Sequence, residues 1–120
     1  MPYQHEVLRQ RTRTFAIRVF KLCQSLQSDD PSRMIARQLL RSATSVAANY
    51  RAAGRARSKA EFISKMGVVV EEADETLFWI EFIVDTGILS AERMTALIQE
   101  ANELLAIFAA SQHTARQRNR

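Results

Sequence analysis

The chain has 120 residues, of which 47% are hydrophobic and 25% are charged, as in an ordinary small globular protein. This length suffices for one hydrophobic core, so we expect a single domain over residues 1–120. A lone cysteine excludes a disulfide within the chain and favours a reducing compartment. No signal-peptide core and no apolar run of membrane length is present, so we expect a cytoplasmic protein that does not enter a membrane.

The first predicted helix spans about residues 7–27. Its apolar residues recur at spacings of four, three and four, which is typical of a buried helical stripe. These residues are Phe15, Val19, Leu22 and Leu26. Cys23 lies next to this stripe, and we interpret it as a small core residue rather than a nucleophile.

The second predicted helix spans about residues 31–53, with Asp30 as its N-cap and Pro31 in its first turn. Its core positions are Ile35, Leu39, Ser42, Val46, Asn49 and Ala53. An amide at the Asn49 position must find a hydrogen-bond partner, so we predict a structural role for it. We expect Gly54 to end the helix in the left-handed conformation.

Two further helices are predicted at about residues 58–85 and 90–111. Ser58 and Glu61 form a capping box at the start of the third helix. Core positions of the third helix are Phe62, Met66, Val69, Ala73, Thr76, Ile80 and Ile83, and those of the fourth are Met94, Leu97, Ala101, Leu104 and Phe108. Residues 112–120 are predicted to be a disordered basic tail. Four amphipathic helices with short turns predict an all-α, up-down-up-down antiparallel four-helix bundle.

Basic and acidic residues separate along the chain. Residues 31–60 contain seven basic side chains and no acid, whereas residues 61–90 contain seven acids and one lysine. At about 100° per residue, five arginines of helix 2 share a sector of about 80° opposite the core positions. The basic stripe, as we define it, comprises Arg33, Arg37, Arg41, Arg51, Arg55, Arg57 and Lys59.

The basic stripe has two main interpretations, besides that of a merely solvated face. Because no acid at i+4 neutralises it, the stripe should attract a polyanion, and arginine suits phosphate because its planar fork donates two hydrogen bonds. No aromatic residue interleaves the stripe, so we expect phosphate contacts without base stacking. In the other interpretation, the acidic face of helix 3 in the same or a neighbouring subunit neutralises the stripe. The residues alone do not separate the two.

Helix 3 has a second apolar face, formed by Val68, Phe78, Trp79 and Phe82. A helix with two apolar faces needs two neighbours. We therefore predict that these four residues form the interface of a homo-oligomer; the alternative is that they extend a broad internal face of the bundle.

No catalytic, cofactor or metal pattern stands out. Glu71, Asp74 and Glu75 have a spacing that suits a metal, but the di-iron bundles need Glu-x-x-His on paired helices, and no histidine lies at a core position here. Phosphate loops, nucleophile elbows and usable Cys/His pairs are also missing. We predict a protein that is not an enzyme and has neither a cofactor nor a metal.

The segment RSATSVAANYRAAGRARSKAEF, from Arg41 to Phe62, resembles the core of the 23S ribosomal RNA intervening-sequence proteins. That family core reads roughly Arg-x-x-x-Ser-Ile-x-Ala-Asn, a short linker and Arg-x-Ser-x-x-Glu-Phe. Many members have proline where Ala47 stands and glutamate where Ala53 stands, so the chain is similar instead to the branch with Ala-Asn-Tyr-Arg-Ala-Ala. The match includes the later segment 72–76 and the Gly87 turn.

The resemblance implies a non-enzymatic bundle that typically forms a ring-like homopentamer. A similar fold serves as the accessory variability protein of diversity-generating retroelements, where a basic surface contacts nucleic acid and a reverse transcriptase. Together, residues and resemblance predict a homo-oligomeric adaptor that binds RNA or DNA through the basic stripe. The alternative is a protein-interaction or structural module whose basic and acidic faces build the oligomer.

Overall fold

The computed structural model describes residues 2–118. They form four α-helices and, within that range, no strand. The helices are α1 (Pro2–Ser25), α2 (Asp30–Ala53), α3 (Lys59–Asp85) and α4 (Ala91–Arg118). Successive helices pack side by side in an elongated bundle of 49 × 22 × 21 Å. The predicted all-α four-helix fold is confirmed.

The core contains most of the positions that the apolar spacing predicts, although Leu22 and Leu26 of the first predicted helix are only half-buried. All five predicted positions of α4 are buried, from Met94 to Phe108, and all seven on α3 except the half-buried Phe62. Side chains from all four helices join one cluster, and each large one contributes about 1.5–3 kcal/mol by leaving water. Asn49 is half-buried rather than in the core, and its amide donates to the carbonyl and hydroxyl of Ser45, both at 2.9 Å.

The helix starts depend on short polar side chains. The N-cap of α2 is Asp29 rather than the expected Asp30, since the backbone at Asp29 is extended and its carboxylate accepts from the Ser32 amide at 2.9 Å. The Ser58 hydroxyl accepts from the Glu61 amide at 3.0 Å, as predicted for the start of α3. The turn after α3 uses Gly87 with φ of 77°, a conformation that glycine adopts without strain.

Gly54 has a different purpose from the one we expected. Gly54 is the C-cap at which α2 ends, as expected, but its φ of −66° is right-handed, so the expected left-handed conformation is wrong. A Cβ at Gly54 would overlap the imidazole of His5, whose ring stacks on Tyr50 with centroids 4.6 Å apart. Glycine therefore serves here to let the start of α1 approach the end of α2.

Two helices are longer than the spacing predicts. α1 begins at Pro2, and α4 continues to Arg118, so the expected disordered tail is helical up to that residue. The Gln112 amide donates to the carbonyl of Ile63 at 3.2 Å and so ties the last turns of α4 to α3. Cations in the final turn also suit the negative end of the helix dipole. The rest of the predicted tail, residues 119 and 120, lies outside the described residues.

The bundle has one tight seam and one open seam. Between α2 and α3, the buried hydroxyls of Ser42 and Thr76 meet at 2.9 Å. Between α1 and α4 the helices touch least, and a groove of about 450 Å³ separates them. Arg11 bridges this open seam, since its guanidinium donates to both carboxylate oxygens of Glu100, at 3.1 and 2.6 Å.

Candidate nucleic-acid interface

The basic stripe lies on the outer face of α2. Its five arginines on α2 and the following turn are all exposed, because the core positions occupy the opposite side of the helix. In the hairpin turn and the first residue of α3, Arg57 and Lys59 extend the exposed basic surface. The structure therefore brings the predicted stripe to one surface, but its members differ in what surrounds them.

Arg41 is exposed, but it pairs with acidic residues of the same chain. Its guanidinium contacts Glu72 at 3.3 Å and donates to Glu75 on α3. This hydrogen bond from Arg41 lowers the pKa of Glu75, whose carboxylate also accepts from the Trp79 indole at 3.2 Å. The neutralising interpretation of the stripe thus applies to Arg41, within a single chain.

Two other arginines of the stripe have only local partners. Arg33 contacts Asp30 at 2.9 Å, and Arg57 lies 3.6 Å from Glu61, each only three or four residues away along the chain. Exposed pairs of this kind contribute little to stability and exchange readily with other anions.

The remaining members of the stripe carry unneutralised charge. Within residues 2–118, no acidic side chain lies within 4.0 Å of Arg37, Arg51, Arg55 or Lys59. Because like charges repel, a surface with these side chains is stabilised by an anion that contacts several of them.

A groove between α1 and α2 adjoins the stripe, and the sequence interpretation did not include it. It has a volume of about 390 Å³ and a floor of small residues that includes Ala16, Ala47 and Ala48. The α1–α2 groove, as we call it, is flanked by Arg9, Arg13, Ile17, Phe20 and Arg51. Ile17 and Phe20 are 45% and 48% exposed. The sequence does contain an indication of this groove, because Arg9, Arg13, Ile17 and Phe20 recur at spacings of four, four and three and so form a second face of α1.

The second face of α3 is as apolar as predicted. Phe78 is 52% exposed, Val68 is exposed too, and Trp79 and Phe82 are half-buried against the core. Phe78, Trp79 and Phe82 contact one another, with ring centroids 4.9 to 5.9 Å apart. We call these three the aromatic ridge. Glu71, Asp74 and Glu81 lie exposed on the same helix.

The structure offers little for catalysis in the part of the chain that it describes. Burial raises the pKa of the half-buried Cys23 thiol to about 11, so the thiol is protonated at neutral pH and a poor nucleophile. Among residues 2–118, no three metal-ligating side chains converge. None of the described helices combines the length and hydrophobicity that a membrane crossing requires.

One solved structure resembles this chain over most of its length. A solved structure of a protein of unknown function from the S23 ribosomal protein family of Bacteroides thetaiotaomicron superimposes with a TM-score of 0.84. It is 28% identical to this chain, and the match covers 91% of this chain and 97% of that one. No curated protein matches this sequence significantly. The description of this neighbour names no enzymatic activity.

The match to a family profile covers most of the bundle, from α1 into α4. It extends over residues 5–110 and so includes the basic stripe, the α1–α2 groove and the aromatic ridge. This chain belongs to the family of the 23S rRNA-intervening sequence proteins.

Proposed function

We propose that this protein is a non-enzymatic, homo-oligomeric adaptor that binds RNA or DNA through phosphate contacts. The observation that carries the proposal is the group of exposed arginines on α2 and the turn after it that have no acidic partner in the described chain, above all Arg37 and Arg55. Guanidinium groups in such a row suit the regular spacing of backbone phosphates. The family description, which links its members to 23S rRNA, favours a nucleic acid over other polyanions.

Binding of this kind depends on charge rather than on base sequence. Each phosphate contact releases counterions, so the logarithm of the binding constant falls with the logarithm of salt by about 0.9 per contact on duplex DNA. No base-edge contacts are expected from the stripe, so RNA hairpins and DNA duplexes of unrelated sequence should bind similarly.

The test is a double variant, Arg37→Ala with Arg55→Ala, in a fluorescence anisotropy titration of a labelled RNA hairpin and a labelled DNA duplex. We expect weaker binding of both probes and a salt slope reduced by about two, one for each lost contact. The matched control is Arg18→Ala with Arg93→Ala, which removes the same charge from exposed positions outside the stripe. Equal losses in the two double variants, or binding unchanged in the stripe variant, would refute the proposal.

A second function has one observation in its favour. Since Arg41 already pairs with α3 acids within the chain, the basic and acidic faces are chemically suited to each other. In this alternative the protein is a structural or protein-interaction module, and the faces build the oligomer. The stripe variant would then dissociate the oligomer in sedimentation experiments, and the wild-type protein would bind neither probe.

A further inference from the structure

The α1–α2 groove and the aromatic ridge match in the order of their side chains. Along α1, the groove presents arginines first and apolar residues later, with Arg13 followed by Phe20. Along α3, carboxylates come first and aromatic residues follow, with Glu75 followed by Phe82. Charge of opposite sign thus occupies the same end of each surface when the two helices run in the same direction.

The spacing matches as well as the order. Four flanking residues of the groove are Arg9, Arg13, Ile17 and Phe20, and 62 positions later stand Glu71, Glu75, Trp79 and Phe82. Both series extend over eleven residue steps, or about 17 Å of helix. The same offset places Phe78 over Ala16, one of the small residues in the floor of the groove.

Some charges on the two surfaces are already paired inside the subunit, Arg9 with Glu6 and Glu75 with Arg41, and others are not. Arg13 and Arg51 have no acidic partner within 4.0 Å among residues 2–118, and Glu71, Asp74 and Glu81 have no basic one. Complementary charge around apolar anchors is the usual arrangement of a specific protein interface.

We propose that the aromatic ridge of one subunit lies in the α1–α2 groove of the next, with α3 parallel to the receiving α1. This inference rests on the proposed self-association and names the two surfaces that make it. Because α1 and α3 run in the same direction within one bundle, parallel packing repeats by rotation about an axis along the bundles. Such a head-to-tail interface forms a ring when its rotation closes and an open filament when it does not, whereas contact of ridge with ridge would stop at a dimer.

The occupied groove leaves part of the basic stripe accessible. Arg13 and Arg51 flank the groove and would face the acids of the neighbour, while Arg37 and Arg55 are not among its lining residues. Arg51 belongs to both surfaces, but phosphate contacts by Arg37 and Arg55 and self-assembly through the groove use different side chains and can be lost separately.

The first experiment compares three substitutions to Asp by sedimentation velocity. Phe20→Asp changes the groove and Phe78→Asp changes the ridge, at side chains of almost equal exposure, 48% and 52%. Val7→Asp is the control, since Val7 is an exposed apolar residue of α1 that lines the α1–α4 groove instead. We expect monomers from the first two and the wild-type oligomer from the third.

The second experiment mixes the two monomeric variants. The ridge of the Phe20→Asp chain and the groove of the Phe78→Asp chain are both intact, so the mixture should form a one-to-one dimer that grows no further. Each variant alone should stay monomeric at the same total concentration. Circular dichroism of each variant establishes that the helices are retained.

Three results would overturn the inference: a monomeric wild-type protein, a Phe20→Asp variant that assembles like the wild type, or a mixture without the dimer. The same samples are titrated with the labelled RNA hairpin. If the Phe20→Asp variant still assembles and still binds RNA, the groove is not part of the interface, and the proposed nucleic-acid function is unaffected. If only the Arg37 and Arg55 double variant loses RNA binding, the result bears on the nucleic-acid function and not on the proposed interface.

Discussion

The α2–α3 and α1–α4 seams are built from the same kind of helix and differ in how close the helices come. At the first, two short hydroxyl side chains, Ser42 and Thr76, face each other and are fully buried. At the second, Arg11 extends across an open groove to Glu100. The size of the facing side chains sets the helix separation, and a wide seam is then joined by long charged side chains rather than by packing.

The largest difference between the two seams should appear in the free energy of unfolding when a side chain is enlarged at each. Ser42→Leu adds volume where none is free and removes a buried hydroxyl, so we expect a loss of about 1–3 kcal/mol in the free energy of unfolding. Thr14→Leu adds similar bulk at an exposed residue of the open groove and should stay within about 0.5 kcal/mol of the wild type. Urea denaturation measures both, and equal losses would mean that the two seams are equally tight.

A double-mutant cycle on Arg11 and Glu100 should show a smaller effect. The pair is two-pronged and its side chains are only 31% and 21% exposed, so we expect a coupling of about 0.5–1 kcal/mol, the upper part of the range for solvent-screened pairs. The control cycle uses Arg9 and Glu6, a more exposed pair within α1, and should give a weaker coupling. A stronger coupling in the control would show that Arg11 does not hold the open seam.

The pH dependence at His5 should be the smallest effect. Burial, and secondly the charge of Arg9, lower the pKa of His5 below its usual value of 6.5. Protonation of His5 is disfavoured in the folded state. The contribution of neutral His5 to the stability is therefore fully present above pH 6.5, and it is lost as the pH falls from 6.5 through the lowered pKa. Comparing urea midpoints near pH 7 and pH 5, we expect a smaller fall for His5→Gln than for the wild type. An identical fall would indicate that the stack on Tyr50 is insensitive to charge.

The sequence was sufficient to predict the core, for a physical reason. Burial on one face of a helix leaves a periodic pattern, and the five positions on α4 and six of the seven on α3 follow it. The cap residues are similarly local, which is why Ser58 could be placed and the error between Asp29 and Asp30 was one residue.

Features that depend on contacts between helices could not be predicted in the same way. Gly54 indicated a left-handed stop, whereas its role follows from His5, which is distant in the chain. On a helical wheel Arg37 and Arg41 lie in the same sector, but in the structure only Arg41 lies beside the carboxylates of α3. The α1–α2 groove likewise needs the packing angle of two helices, which a one-helix pattern does not contain.

Trp79 gives the molecule an optical property. It is the one tryptophan in the sequence, its side chain is half-buried in the aromatic ridge, and its indole N–H donates to the Glu75 carboxylate. Indole emission shifts with the polarity around the ring, and here all of it originates from a single surface. The unlabelled protein therefore carries a fluorescent reporter on α3, at the place where a neighbouring molecule would replace water.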